Sequence, residues 1–122
     1  MPSLYGDVIS TFMGVAKATD PKTTDAEVVV SGVPFDLACS GRAGTRMGPN
    51  AIRQSTANLI WEGKRWPWDF ALEERLKVCD AGNVDYAYGE PESLVDNLET
   101  HANRWLSAGK KMFTLGGDHY IS

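Results

Sequence analysis

The chain has 122 residues, of which 43% are hydrophobic and 23% are charged, the balance of one ordinary globular domain rather than of a disordered or fibrous chain. Twelve basic and sixteen acidic side chains leave a formal net charge of −4, which speaks against a nucleic-acid partner. No run approaches the roughly 18 uninterrupted apolar residues of a membrane helix. Asp7 and Lys17 also interrupt the amino terminus, so we expect a cytoplasmic protein with no signal peptide and no membrane contact.

The first half of the chain predicts one strand and one helix. Residues 27–34, EVVVSGVP, are dense in β-branched side chains without polar alternation, which is typical of a strand covered on both faces in a parallel sheet. A segment rich in Gly, Ser and Arg follows over 35–48, and Pro49 can begin a helix that we predict to about Leu59. Because its apolar residues are sparse, we expect this helix to be half-exposed or covered by another subunit. The aromatic segment over 61–70 indicates a connection that packs in the core or at an interface.

The second half predicts two further strands around a helix. Residues 76–84, LKVCDAGNV, form a short predicted strand, and residues 111–115, KMFTL, form another. Between them, side chains at steps of four, three and four share one helix face: Leu94, Leu98, His101 and Trp105. The order strand, helix, strand, helix, strand predicts an α/β fold with a parallel sheet and helices on its faces.

Three strands make a thin parallel sheet, and the chain stops soon after the third. We therefore expect residues 26–122 to be the N-terminal part of a single, larger α/β domain. Residues 1–25 carry little pattern, and we expect them to form an arm that lies on a neighbour or is partly disordered.

Ligands of open α/β sheets bind beyond the carboxyl ends of the strands, which here are the segments 35–48, 79–83 and 116–122. The last segment begins with GGDH, whose two glycines permit a sharp turn and a close approach to the backbone. His119 is a candidate ligand for Mn, Fe, Ni or Zn, since these metals accept imidazole. The carboxylate of Asp118 is expected to orient the imidazole ring rather than to bind the metal.

Other chemistry-bearing residues have simpler interpretations. His101 lies on the apolar face of its helix, so we expect a packed core histidine. Arg42, Arg46 and Arg53 are candidates for carboxylate pairing or for lining a site mouth, although solvated or interface charge is the preferred interpretation. The glycines near them form neither GxGxxG nor a GK[ST] loop, which argues against a nucleotide-binding domain. No Ser-His-Asp or Cys-His set can be assembled from two histidines.

Three stretches together are similar to the ureohydrolases, the family of arginase and agmatinase. They are GVPFDLACSGRAGTRMGPNAIRQ over 32–54, DAGN over 80–83 and FTLGGDHYIS over 113–122. The resemblance extends in register from about Glu27 to Ser122. The first stretch, together with WEGKRWPWDF over 61–70, resembles the bacterial agmatinase branch in particular.

The resemblance implies a three-layer α/β/α fold and a binuclear Mn²⁺ centre that hydrolyses the guanidinium group of agmatine to urea and putrescine, a step of polyamine biosynthesis. Guanidinium is a resonance-stabilised cation that resists neutral water, and a metal pair lowers the pKa of water toward neutrality. His119 matches the first metal ligand of the family. The resemblance also implies a homo-oligomer that takes a small cationic guanidino substrate.

The other family ligands come from motifs of DAHxD and DxD type that do not occur in this sequence. We therefore assign no catalytic and no substrate-binding residue here, and expect the 122 residues alone to be inactive. Asp36 and the loop Ser40–Gly48 are expected to shape the site mouth or a subunit contact. Two alternatives stay open: a truncated, non-catalytic chain that binds or assembles with a full subunit, and a ureohydrolase for another ω-guanidino compound such as guanidinobutyrate.

Overall fold

The computed structural model describes residues 10–36, 44–57, 69–85 and 90–117. Strands β1 and β2 comprise Ala16–Lys17 and Val28–Val33, and strands β3 and β4 comprise Val78–Asn83 and Lys111–Gly116. Helices α1, α2 and α3 comprise Gly48–Thr56, Leu72–Arg75 and Pro91–Ser107. Short 3-10 turns cover Phe12–Gly14 and Thr45–Met47.

All four strands pair in parallel, in the order β1-β3-β2-β4. Strand β2 is therefore an inner strand, flanked by β3 and β4, and its Val29, Val30 and Val33 are buried, as the run of β-branched residues predicts. The α/β class predicted from the alternation of strands and helices is confirmed. Each of the three predicted strands is present, with bounds that differ from the prediction by one or two residues.

Strand β1 is an element that the sequence pattern did not predict. Ala16 and Lys17 pair with Cys79 and Asp80 of β3, and the backbone N–H of Ala18 donates to the Asp80 carbonyl over 3.1 Å. Part of the segment expected to form an arm thus joins the sheet as its fourth strand. The division of the chain into an arm over 1–25 and a domain over 26–122 stays a prediction.

Helix α3 packs on one face of the sheet, as its predicted face requires. Trp105 is fully buried against Val29 and Cys79, near the amino ends of the strands. Burial of a large apolar side chain contributes roughly 1.5–3 kcal/mol, so this cluster holds the helix to the sheet. A second cluster lies nearer the carboxyl ends and consists of Val33, Phe35, Val84 and Leu94.

Helix α1 lies on the opposite face, so the described part of the chain has three layers. Successive side chains of a strand point to opposite faces, and Gly32 of β2 faces Pro49 and Arg53 of α1. Pro49 and Arg53 are the buried residues of this helix. Burial of an arginine on the sheet side accounts for the sparse apolar pattern of α1. It also corrects the interpretation of Arg53 as a solvated or interface charge, because only 1% of its side chain is exposed.

No helix within the described residues is long and apolar enough to cross a membrane.

Candidate functional site

The carboxyl ends of β2, β3 and β4 meet at one edge of the sheet, as parallel pairing requires. The backbone N–H of Gly117, just after β4, donates to the Val33 carbonyl over 3.0 Å. A Cβ atom added at Gly117 would lie 2.0 Å from the Phe35 carbonyl oxygen, so only glycine fits this contact. The chain therefore leaves β4 in close contact with the end of β2, at the edge where ligands of such sheets bind.

The residues predicted to act on a metal lie just beyond this point. Asp118 and His119 follow Gly117 directly but lie outside the described residues, and so does Arg42. Their predicted roles stay predictions. Within the described ranges, no group of three or more His, Cys, Asp or Glu side chains is arranged to hold a metal ion.

The second histidine of the chain lies between α3 and the sheet. The Nε2 atom of His101 lies 2.7 Å from the hydroxyl oxygen of Ser31, a fully buried residue of β2, and the two share a hydrogen bond. Burial lowers the pKa of His101, and the nearby positive charge of Arg104 lowers it further. A neutral imidazole in this setting is the packed core histidine that the helix pattern predicted.

Asp36 anchors the segment that follows β2. Its Oδ2 atom accepts hydrogen bonds from the backbone N–H of Gly44 over 2.8 Å and from Nη1 of Arg46 over 2.8 Å. Burial opposes ionisation of this carboxyl, but the hydrogen bonds from the Arg46 side chain and from the backbone of Arg46 and Gly44 outweigh it, so the pKa of Asp36 is lowered. Arg46 thus has the carboxylate partner that the sequence suggested, in place of a solvated position. The intervening residues 37–43 lie outside the described part of the chain.

Arg53 lies at the centre of a buried polar network between α1 and the sheet. Its Nε and Nη2 atoms donate to Oδ2 and Oδ1 of Asp80 over 2.9 and 3.1 Å, a bidentate pair with 1% and 0% side-chain exposure. Nη2 also donates to the Gly82 carbonyl over 3.0 Å, and Nη1 donates to the Oδ1 atoms of Asn50 and Asn83. Every N–H group of the guanidinium therefore has an acceptor, which is the condition for burying this charge.

The partners of Arg53 are themselves held by neighbours. The Asp80 carboxylate accepts the backbone N–H groups of Phe12 and Gly82, each over 2.9 Å, and Asn83 Nδ2 donates to Asn50 Oδ1 over 3.2 Å. The network thus joins helix α1, the end of β3 and the 3-10 turn that precedes β1.

This network was not anticipated from the sequence. The available signal was the placement of Pro49 and Arg53 at i and i+4 on one helix face, together with the carboxylate of Asp80 within the second predicted strand. A charge on the buried face of a helix requires a buried counter-charge, and Asp80 of β3 supplies it.

Comparison with known proteins identifies relatives of this chain. The family model for the arginase family matches residues 26–122. An agmatinase of Edwardsiella ictaluri is 55% identical over 102 residues, which is 84% of this chain and 34% of that protein. An agmatinase of Sodalis glossinidius is 50% identical over 111 residues, which is 91% of this chain and 36% of that protein.

Solved structures agree with these sequence matches. A hypothetical agmatinase from Burkholderia thailandensis superposes with a TM-score of 0.83 at 37% identity, covering 99% of this chain and 39% of that one. The proclavaminate amidino hydrolase of Streptomyces clavuligerus superposes with a TM-score of 0.78 at 28% identity, covering 98% and 39%. The chain thus spans about a third of the length of the relatives it matches.

Proposed function

Because the chain belongs to the arginase family, we propose that the complete protein in which these residues occur hydrolyses the guanidinium group of agmatine to urea and putrescine, using two Mn²⁺ ions. The observation that carries the proposal is the 55% identity to a protein named agmatinase across 84% of this chain. We further propose a homo-oligomeric, cytoplasmic enzyme.

The sequence that follows β4 supports a manganese site by its chemistry. Imidazole is a ligand that Mn²⁺ accepts, and His119 comes two residues after Gly117, which lies at the carboxyl edge of the sheet. His101 does not fit, because its Nε2 is engaged by Ser31 between α3 and the sheet. When bound, the metal pair supplies positive charge and lowers the pKa of water, which attack on a guanidinium requires.

In this proposal, residues of the chain itself hold a metal ion and orient its ligand. His119 would hold one metal ion through a ring nitrogen, and the Asp118 carboxylate would keep its imidazole in one orientation. Gly117, directly before these two residues in the sequence, lies with its backbone against Phe35. Asp36 and Arg46 close the segment that follows β2 at the same edge.

His119→Ala in the complete protein tests the proposed ligand. We expect the loss of one bound Mn²⁺ per subunit and a fall in urea release from agmatine of about 100-fold or more, since a direct ligand should matter at least as much as an outer partner. Metal content by elemental analysis and urea release on the same preparation measure this. His101→Gln is the matched control and should leave both unchanged. Wild-type metal content and rate in His119→Ala would remove this residue from the site.

Substrate choice needs a separate measurement. One solved relative is named an amidino hydrolase of another compound, so a related ω-guanidino substrate such as guanidinobutyrate is the second candidate. A panel of guanidino compounds, assayed for urea, should give the highest kcat/KM with agmatine. No turnover of any panel member by the complete, manganese-loaded protein would favour a non-catalytic chain that assembles with another subunit.

A further inference from the structure

The network centred on Arg53 has no part in the proposed metal chemistry, yet it reaches the carboxyl end of β3 through Gly82 and Asn83. Its Asp80 and Asn83 partners belong to β3, and Asn50 belongs to the first turn of α1. A bidentate arginine–carboxylate pair fixes both distance and orientation, because two parallel N–H···O bonds must be satisfied at once. The network therefore sets how helix α1 sits over the end of β3.

Helix α1 in turn contacts the strand ends through residues without side chains. A Cβ atom on Gly32 would lie 2.0 Å from Asn83 Oδ1 and 2.9 Å from Pro49 Cβ. Only glycine at this position of β2 therefore leaves room for Asn83 and Pro49. A Cβ atom on Gly48, the first residue of α1, would lie 3.0 Å from the Gly116 carbonyl oxygen. The start of α1 thus lies against the last residue of β4.

We propose that Arg53 is a positioning residue: by clamping α1 to Asp80 and Asn83 it holds the start of α1 against Gly116, and so supports the end of β4, which precedes the proposed metal ligand His119 in the sequence. This inference rests on the proposed function for the metal and on the observed contacts for the clamp. Stability alone does not account for the arrangement, since well-packed apolar residues often replace a buried ion pair without loss of stability. The Arg53–Asp80 pair adds directional hydrogen bonds, which apolar packing does not provide.

Two variants of the complete protein test the clamp. Arg53→Lys keeps the charge but loses the planar fork, and Asn50→Ala removes one acceptor of Arg53 from a half-buried position. We expect amide hydrogen exchange of the segment 113–122 to speed up, and the dissociation constant for Mn²⁺ to rise about tenfold, the loss typical of partners behind a ligand. Exchange is followed by mass spectrometry and Mn²⁺ affinity by calorimetry, at a temperature where all variants are folded.

Val29→Ala is the matched control, because it opens a cavity in β2 on the α3 face, away from the network. It should lower the melting temperature while leaving both the exchange of 113–122 and the Mn²⁺ affinity within twofold of the wild type. If all three variants lose metal affinity in proportion to their melting temperatures, Arg53 is structural only and the inference is wrong.

The remaining outcomes are also decisive. If Arg53→Lys does not fold, Asn50→Ala decides by the same two readouts. Folded variants with wild-type exchange and wild-type Mn²⁺ affinity would overturn the positioning role while the proposed function stands. A wild-type protein that neither binds Mn²⁺ nor releases urea would refute the proposed function, and with it the metal step of this inference.

Discussion

Asp36 and Asp80 each bind an arginine, but in different surroundings. Arg46 keeps 29% of its side chain exposed beside Asp36, whereas Arg53 keeps 1% beside Asp80. A partly exposed pair can lose its partner to water, whereas a buried pair that loses one partner leaves an uncompensated charge, which costs roughly 3–5 kcal/mol. The Asp36 pair therefore anchors a partly exposed segment after β2, and the Asp80 pair anchors the interior between α1 and the sheet.

The lowered pKa of Asp36 predicts acid-sensitive anchoring. Because the folded-state pKa lies below the ordinary value of 3.8, the ionised carboxylate contributes stability that is present above that value and lost as the pH falls through the folded pKa. Asp36→Asn, which keeps the shape but not the charge, should be less stable than the wild type at pH 7. The difference should shrink below about pH 4 and vanish in stronger acid.

Denaturant unfolding from pH 7 to pH 2 measures this difference. Lys77→Gln, which breaks the exposed pair of Lys77 with Asp25, is a control that should leave the unfolding midpoint at pH 7 unchanged. A constant gap between wild type and Asp36→Asn at every pH would contradict the ionic role of Asp36.

Helix α3 illustrates how one element can hold both apolar and polar contacts with a sheet. Trp105 and Leu94 are buried at two levels of the sheet, and His101 lies between them along the helix, bonded to Ser31. The imidazole ring lies 6.3 Å from the Trp105 indole, centroid to centroid. Burial lowers the pKa of His101, which favours the neutral imidazole in this contact.

Docking of α3 should therefore weaken in mild acid. A histidine whose folded-state pKa is lowered binds more protons when unfolded, so stability is complete above the ordinary value of 6.5 and decreases as the pH falls from there to the folded pKa. The unfolding free energy of the wild type should fall between pH 7.5 and 5.5. His101→Gln, which offers an amide to Ser31 without titrating, should flatten that fall.

Ser31→Ala separates the hydrogen bond from the titration. It should cost about 1 kcal/mol at pH 7.5, because it leaves a half-buried ring nitrogen without its hydrogen-bond partner, and should keep the pH dependence. A fall of equal slope in the wild type and in His101→Gln would show that another group is responsible.

The outer strand β4 of the described sheet carries an exposed apolar side chain. Strand β4 is the last strand of the described sheet, and Phe113 on it keeps 51% of its side chain exposed.

The chain matches about a third of the length of its relatives. Two divalent ions held close together need several carboxylates to offset their charge, and the described residues contain no cluster of three or more ligands.

A polypeptide made of these 122 residues alone should therefore bind Mn²⁺ weakly and release no urea from agmatine above background. The complete protein, prepared and loaded in the same way, is the positive control. Calorimetric titration with Mn²⁺ and a urea assay on both preparations give the answer. Turnover by the 122-residue polypeptide at the rate of the complete protein would show that the ligand set lies within these residues after all.

Local chemistry along the chain was sufficient to predict the order of the main elements. The β-branched run over 28–33 and the spacing of Leu94, Leu98 and Trp105 predict a strand and a helix because burial on a sheet imposes those periods directly on neighbouring residues. The end of a strand at the first glycine of GGDH, Gly116, was predictable for the same reason.

Contacts between distant segments required the folded chain. Arg53 and Asp80 are 27 positions apart, and an arginine on a short helix with few apolar residues looks like a surface charge until its counter-charge is found. Strand β1 is two residues long and is held by its pairing with β3, and Gly117 is tied to the carbonyl of Phe35 by packing. Desolvation of a charge and close backbone packing depend on partners that only the tertiary structure brings together, because their favourable energy comes from the contact and not from either segment alone.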